Sequence, residues 1–219
     1  MSEPIRPIKR KKRQRRTLQT PNDDVRVRIL DAAAELIGES GVPDLRIDDL
    51  AKRAGVAVGT VYLYFDGKND LFVQLVIGYT ERLLERFHEA DREGGTVIDR
   101  MARRFDRYLD FVEEHRAGFL YFRDSGAVHT TGGRLSDWAL GQHAADLRPL
   151  LEEGMASGEL REMDGELLAH AITGLLQHMV GVWLEQDETV SRQRLRRFVD
   201  GLIAFGTSPV RSMTGDERR

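Results

Sequence analysis

Side chains that can hydrogen-bond phosphate oxygens are concentrated in a short segment of the N-terminal third. Thr60, Tyr62 and Tyr64 place three hydroxyls within five residues, and Lys68 follows them closely. Hydroxyl and ammonium groups are common partners of phosphate oxygens, and a tyrosine can also reach a base edge. These residue types favour nucleic-acid binding, provided that one structural element presents them on one surface.

Residues 44 to 65 predict such an element, because they are typical of two short helices that meet at Gly55. Ile47, Leu50 and Ala51 recur at i, i+3 and i+4 and give the first helix an apolar face. Gly55 can take the left-handed conformation that ends a helix. A second helix after this turn would lie across the first, as in a helix-turn-helix whose recognition helix enters the major groove.

The segment resembles the DNA-binding domain of the TetR family of bacterial transcriptional regulators. The resemblance covers residues 25 to 75, from an upstream helix to the start of a downstream one. Agreement at many spaced positions makes it far more specific than a single short motif. The agreeing positions are Ala32, Ala33, Gly41, Ile47, Leu50, Ala51, Ala54, Gly55, Val56, Gly59, Thr60, Tyr62, Tyr64, Phe65, Lys68, Leu71 and Phe72.

The resemblance implies an all-α protein, in which a three-helix headpiece with the helix-turn-helix precedes a helical bundle for ligand binding and dimerisation. We divide the chain into a basic disordered arm (1–21), a DNA-binding domain (22–67), a ligand-binding and dimerisation domain (68–207) and a flexible tail (208–219). Val61 and Phe65 should face the headpiece core. The residues that the resemblance assigns to double-stranded DNA are Arg46, Val58, Gly59, Thr60, Tyr62, Leu63, Tyr64 and Lys68.

Two helix starts depart from the family's pattern. Arg46 stands where a threonine or serine usually caps the second helix, so Asp44 would have to satisfy the free amides. Ala57 replaces the usual serine before the recognition helix, which weakens capping by about 1 kcal/mol. Val58 could meet a thymine methyl or simply be exposed. Asp48 is interpreted as a helix-dipole partner rather than an acceptor for a cytosine amino group.

Charge is distributed unevenly along the chain. The first 20 residues carry eight basic side chains and one acidic one, a net of +7, whereas the remainder carries 25 basic and 35 acidic ones, a net of −10. Such an arm cannot bury enough apolar surface to fold alone. It could follow phosphates or enter the minor groove, or it could be a solvated tail that binds any polyanion. Its candidate DNA contacts are Lys9, Arg10, Lys11, Lys12, Arg13, Arg15 and Arg16.

Composition is consistent with a regulator. With 219 residues, 41% of them apolar, the chain can form a headpiece and one helical body. We expect no transmembrane helix and no secretory signal, and hence a cytoplasmic, nucleoid-associated protein. Without cysteine there are no disulfides or thiolate zinc sites. The histidines, glycines and serines form no metal motif, phosphate loop or nucleophile elbow, so neither catalysis nor a cofactor is expected.

Beyond residue 68 apolar residues recur near the helical period, without strand alternation. Helices are predicted over residues 69–91, 97–114, 135–157, 166–185 and 191–205, with a shorter apolar segment at 118–126. The first should connect headpiece and body. The family resemblance implies that the last two pair with their copies in a homodimer, which a palindromic operator also needs, although burial within one subunit is the alternative for part of both. The residues assigned to this interface are Leu175, Met179, Val182, Leu195, Phe198 and Leu202.

Large and polar-tipped side chains in the middle helices predict a ligand pocket, with ordinary core packing as the alternative for each of them. An apolar cavity with few polar groups would favour a hydrophobic or aromatic small molecule. The candidates are Phe105, Tyr108, Phe119, Phe122, Trp138, His143, Gln177 and His178, with Arg123 and His170 as further polar positions.

The preferred hypothesis is a repressor that a small-molecule inducer releases from DNA. One alternative is an architectural protein that binds DNA nonspecifically through its arm. Another is a regulator whose body binds a protein partner.

Overall fold

Helices make up almost all of the computed structural model, which describes residues 23–40, 45–124, 129–130, 133–186 and 189–207. Strands β1 (His129–Thr130) and β2 (Gly133–Arg134) form one short antiparallel pair, with His129 opposite Arg134. The predicted all-α architecture is confirmed. The helices in these described ranges are α1 (Asp23–Ser40), α2 (Ile47–Ala54), α3 (Val58–Tyr64), α4 (Lys68–Arg92), α5 (Val97–Glu114), α6 (Arg116–Asp124), α7 (Leu135–Ser157), α8 (Gly165–Glu185) and α9 (Arg192–Thr207).

Some sequence predictions fall outside the described residues. They concern the tail from residue 208, the substitute cap Asp44 and the side chains of Phe122 and Arg123. The arm candidates also lie outside, namely Lys9, Arg10, Lys11, Lys12, Arg13, Arg15 and Arg16.

The long helices begin and end close to the predicted positions. Helices α5 and α7 have the predicted bounds, while α4, α8 and α9 differ by one or two residues at an end. The segment at 118–126, predicted only as apolar, lies largely in α6. This helix follows α5 after a single break at His115, whose carbonyl accepts a hydrogen bond from the Phe119 amide at 3.0 Å.

The turn between α2 and α3 has the predicted geometry. Gly55 adopts φ 65° and ψ 39°, which is left-handed, and the Val56 amide donates to the Ala51 carbonyl at 2.9 Å. Arg28 of α1 reinforces this turn, because its guanidinium donates to the Ala54 carbonyl at 3.0 Å. Neither α2 nor α3 has a side-chain cap, since Arg46 and Ala57 stand at the N-cap positions.

The headpiece core crosses the boundary that we predicted at residue 68. Ile29, Leu50 and Val61 from the three headpiece helices are buried together with Phe65. The start of α4 and the start of α7 complete the same cluster, through Leu71, Phe72, Leu75, Val76, Leu135 and Ala139. Because packed cores transmit displacements, the headpiece is mechanically joined to two body helices rather than to one linker.

The body helices are joined by apolar packing and by ion pairs. Helix α5 starts with a capping box, in which Thr96 and Asp99 satisfy each other's backbone amides. Arg104 links α5 to Asp91 of α4 and to Asp146 of α7. Helix α9 is tied to α5 by Arg196 on Asp106, at 2.5 Å.

The expectation that no segment resembles a transmembrane helix was wrong for α8. By length and composition this helix could cross a membrane, with a mean hydropathy of 1.4 over an 18-residue window. One such helix is weak evidence, because core helices of other proteins pass the same test. Helix α8 packs along α7 and buries Ala169, Ile172, Val180 and Trp183 in the body. Its high hydropathy arises because part of its outer face is also apolar.

Gly154 should tolerate no larger residue, because α7 passes close to the loop that follows it. A Cβ at this position would lie 2.7 Å from Leu160 Cγ and 3.0 Å from Val97 Cγ1, and both neighbours are buried. We predict that Gly154→Ala lowers the free energy of unfolding by about 1–2 kcal/mol, after the gain in helix propensity is offset. Urea unfolding at fixed protein concentration measures it.

Gly141 is the matched control in the same helix, because a Cβ there would meet no heavy atom within 4 Å. Gly141→Ala should stabilise by roughly 0.5–1 kcal/mol. Equal effects of the two substitutions would contradict the close packing of Gly154.

Candidate functional site

Helix α3 presents one face to solvent and one to the headpiece core. Val58, Tyr62 and Leu63 are 38%, 57% and 67% exposed. Val61 and Phe65 are buried, as expected from the sequence. Three large side chains on one open helix face form a surface that a DNA groove could cover.

The other candidate DNA contacts surround this face at different depths. Arg46 and Lys68 are exposed at the starts of α2 and α4. Thr60 and Tyr64 are half-buried, and Tyr64 packs against the headpiece core. Gly59 leaves open space, since a Cβ there would have no neighbour within 4 Å.

Arg53 is a nearby cation that structural ion pairs already occupy. Its guanidinium contacts Glu39 at 2.9 Å and Glu35 at 3.0 Å. Hydrogen bonding to Glu39 and Glu35 raises the pKa of Arg53 above its ordinary value, despite some desolvation. This arginine therefore ties α2 to α1, and Arg46 and Lys68 are better placed to meet phosphates.

A long apolar cavity lies between α4, α5, α6, α7, α8 and α9. Its volume is about 130 Å³. One complete side is supplied by α4, through Phe72, Val76, Tyr79, Thr80, Leu83 and Phe87. The distance from Phe72 to Phe87 along the helix is about 22 Å at 1.5 Å per residue. The residues that line the cavity therefore extend along most of α4.

The predicted pocket residues divide into two groups. Phe105, Tyr108, Phe119, His143 and Gln177 line the cavity. Three other candidates whose side chains the structure describes do not line it: Trp138 is 36% exposed, and His178 and His170 are exposed on α8. A large or polar-tipped side chain predicts a pocket only when its helix face points inward, and residue type alone does not show that direction.

Sequence reasoning missed the α4 wall and two polar residues of the cavity, Arg104 and His115. The α4 stripe was interpreted only as a connector. A signal for Arg104 was present, because it follows Met101 by three residues inside an apolar helical stripe. A charged residue at such a position predicts a buried ion pair.

Burial shapes the electrostatics of the cavity. It raises the pKa of the Tyr108 hydroxyl well above its ordinary value, so that group stays protonated. Burial also lowers the pKa of His115, whose ring stacks on Tyr79 at 4.5 Å, and the positive charge of Arg82 acts in the same direction. Burial lowers the pKa of His143 to about 4, against the opposing effect of Asp146. All three groups are therefore uncharged at neutral pH.

The residues assigned to the dimer interface also differ in exposure. Phe198 and Leu202 are exposed on α9 by 52% and 37%. Leu175, Met179 and Val182 are half-buried on α8. Leu195 instead belongs to the core of the protomer, where it packs in the cluster of α5 and α8 side chains, so its assignment to the interface requires correction.

A helix-turn-helix with an exposed second helix, joined to a helical body with an apolar cavity, defines a ligand-responsive DNA-binding protein. Residues 29–75 match the family model of bacterial regulatory proteins of the tetR family. The helix-turn-helix segment is thus similar to the DNA-binding domain of that family, and the comparisons support a DNA-binding transcriptional regulator. Regulators of this family bind operators as dimers and respond to small-molecule ligands.

Two relatives match this chain over most of their own length. The chain is 28% identical over 182 residues to the fatty acid metabolism regulator protein of Bacillus subtilis, covering 82% of this chain and 94% of that protein. It is 27% identical over 199 residues to the transcriptional activator FasR of Mycolicibacterium smegmatis, with 87% and 85% covered. These relatives are transcriptional regulators rather than enzymes.

A solved structure extends the similarity to the whole fold. The transcriptional regulator FadR from Bacillus subtilis, crystallised in complex with stearoyl-CoA, superposes with a TM-score of 0.70. The two chains are 27% identical, and the match covers 83% of this chain and 98% of FadR.

We predict that Tyr62→Ala selectively weakens operator binding. The side chain is mostly exposed, so its loss should leave the unfolding temperature unchanged. Loss of a base-edge contact should weaken operator binding by about 5- to 150-fold, with a smaller effect on scrambled DNA. Fluorescence anisotropy with both duplexes measures this ratio, and Val27→Ala, at an exposed position of α1, is the control. An equal loss on both duplexes would show that Tyr62 makes only sequence-independent contacts.

His143 should make the protein less stable in acid. Its pKa is about 4 in the folded state and near 6.5 when unfolded, so only the unfolded state gains this proton between those values. The free energy of unfolding therefore keeps its full value above about pH 6.5 and falls by at most about 3 kcal/mol as the pH drops to about 4. The free energy of unfolding of His143→Gln should fall less over that window, while the exposed control His170→Gln should match the parent. Parallel pH curves for parent and His143→Gln would contradict this prediction.

Proposed function

We propose that the protein is a homodimeric repressor that binds a palindromic operator, and that a long-chain acyl ligand in the cavity releases it. The observation that carries the proposal is that the cavity shares its wall with the headpiece core. Phe72, Val76 and Ala139 belong to both. A ligand in the cavity would therefore touch the side chains that hold the DNA-binding helices against the body.

The shape and lining of the cavity support an extended hydrocarbon as the ligand. A cavity whose lining extends over about 22 Å of α4, with almost entirely apolar walls, suits a chain better than a compact, polar molecule. The fatty acid regulator of Bacillus subtilis and the stearoyl-CoA complex of FadR support the same class of compound. An acyl ligand is a more specific proposal than the hydrophobic or aromatic small molecule that the sequence predicted.

The release mechanism follows from the shared wall. If the ligand displaces Phe72 and Val76, the start of α4 must shift against α1, α2 and α3. The two headpieces of a dimer would then no longer match the spacing of the half-sites. A coupling of 1–3 kcal/mol, typical of allosteric proteins, corresponds to about 5- to 150-fold weaker DNA binding.

The outer faces of α8 and α9 support dimerisation. Leu167, Phe198 and Leu202 are exposed there, and Gly174 and Gly201 leave open space for a close neighbour. An isologous pairing of these helices would bury the apolar surface that gives α8 its high hydropathy. Two headpieces related by a twofold axis suit a palindromic site. Binding at such sites would take place in the cytoplasm, with the protein held on the nucleoid.

Selection of bound sequences from a random duplex library by the full-length protein should enrich one palindrome, which then serves as the probe. Adding stearoyl-CoA should weaken its binding by about 5- to 150-fold, whereas coenzyme A alone and butyryl-CoA should have little effect. Binding and release are measured by fluorescence anisotropy at fixed salt concentration.

A cavity-filling variant tests the coupling. Leu140 lines the cavity but is absent from the packed core clusters, so Leu140→Trp should remove the response to stearoyl-CoA. Glu162→Trp, at an exposed position before α8, is the control. If stearoyl-CoA saturates the protein without changing operator affinity, the release mechanism is wrong. If no palindrome is enriched and all duplexes bind equally with steep salt dependence, the architectural alternative is favoured.

A further inference from the structure

One buried polar atom of a cavity-lining residue has no hydrogen-bond partner among the residues that the structure describes. The Nε2 of His143 is inaccessible to water and makes no hydrogen bond, although the residue as a whole is only half-buried. His143 lines the cavity, and its ring packs edge-on against Phe87 with the centroids 6.2 Å apart. Buried ring nitrogens are normally hydrogen-bonded, so an unpaired one on a residue that lines the cavity lacks a partner that a ligand atom could supply.

The surroundings of His143 do not favour a charged ligand group. Arg104 is the only arginine or lysine in the described part of the cavity wall, and its guanidinium already contacts both Asp91 and Asp146. Asp146 also contacts His88 Nε2 at 2.5 Å. A ligand carboxylate at this end would find no free cation among the described lining residues, because two carboxylates already pair with Arg104, so burying it there would be unfavourable.

We infer that His143 Nε2 binds an uncharged oxygen of the ligand, a carbonyl or a hydroxyl, and thereby selects an oxygen-bearing chain over a plain hydrocarbon or a buried carboxylate. This inference rests on the proposed function. A neutral imidazole nitrogen can donate to a carbonyl in one tautomer or accept from a hydroxyl in the other.

The position of His143 also orients the ligand. Phe87, its ring partner, lies near the end of α4 that is remote from the headpiece, whereas Phe72 lies at the headpiece end. An oxygen held at His143 directs the hydrocarbon along α4 toward Phe72 and Val76. The far end of the chain would then contact the shared wall, and the length of the chain would determine how strongly that wall is displaced.

The test uses three matched probes with the full-length protein: methyl octadecanoate, octadecane and octadecanoate, each delivered from cyclodextrin. Displacement of a bound hydrophobic fluorophore gives the affinities. The parent protein should prefer the ester over the hydrocarbon by about tenfold, the effect of one net hydrogen bond. In His143→Leu the preference should disappear while octadecane still binds, and His143→Gln should retain most of it because glutamine keeps a donor and an acceptor.

The ratio of ester to hydrocarbon affinity distinguishes a hydrogen bond to the ligand from a purely structural role of His143. If His143 only kept the cavity folded, its substitution would change both affinities by the same factor. His178→Leu, at an exposed position of α8 outside the cavity, is the control and should keep the parent ratio. If the parent binds ester and hydrocarbon equally, or if His143→Leu keeps the preference, the inference is wrong while the proposed function stands. If none of the probes displaces the fluorophore, both fail. If His143→Leu does not fold, the ester-to-hydrocarbon affinity ratios of the parent protein and of His143→Gln still test whether His143 binds the ligand oxygen.

Discussion

The packing of α4 and α7 against the headpiece is the constraint on which the rest of the structure depends. Phe72, Val76 and Ala139 close the headpiece core on one side and the body cavity on the other. Close-packed side chains cannot move independently, so the two regions share their displacements. A displacement of the cavity wall would therefore also displace the recognition helix, because the two regions share packed side chains. The headpiece is packed directly against the body and is not a separate unit on a flexible linker.

Arg104 is a charged side chain in the apolar cavity wall, and its charge is already paired within the fold. Its side chain is buried and holds Asp91 and Asp146, so it joins α4, α5 and α7 at the end of the cavity remote from the headpiece. A buried ion pair adds little net stability, because desolvation opposes the attraction, but removing one partner leaves an uncompensated charge. The cluster therefore fixes the relative position of three helices. The headpiece end of α4, which lacks such a cluster among the described residues, is better able to shift.

The sequence predicted those features that depend on contacts between residues close together in the chain, and it predicted the others only in part. Helix bounds were predictable because apolar spacing, Gly55 and the glycines after α4 act within a few residues. The cavity was only partly predictable, since the α4 stripe that forms its longest wall has the pattern of ordinary core packing. Leu195 and Phe198 show the same limit, because they share one apolar stripe and only tertiary packing buries the first and exposes the second. The functional roles of the exposed α3 residues remain predictions.

Because the headpiece helices are weakly capped, they depend on the shared core for their stability. Helix α3 has seven residues and Ala57 as its N-cap, and α2 begins at Arg46 without a side-chain cap. Helices this short are unstable in isolation, so their stability comes from tertiary packing. For α3 that packing is supplied mainly by Val61 and Phe65, which belong to the same cluster as Phe72 and Val76. A displacement of the α4 wall therefore acts on the residues that keep the recognition helix folded and oriented, so even a small shift at the cavity can change DNA affinity without a long chain of intermediate contacts.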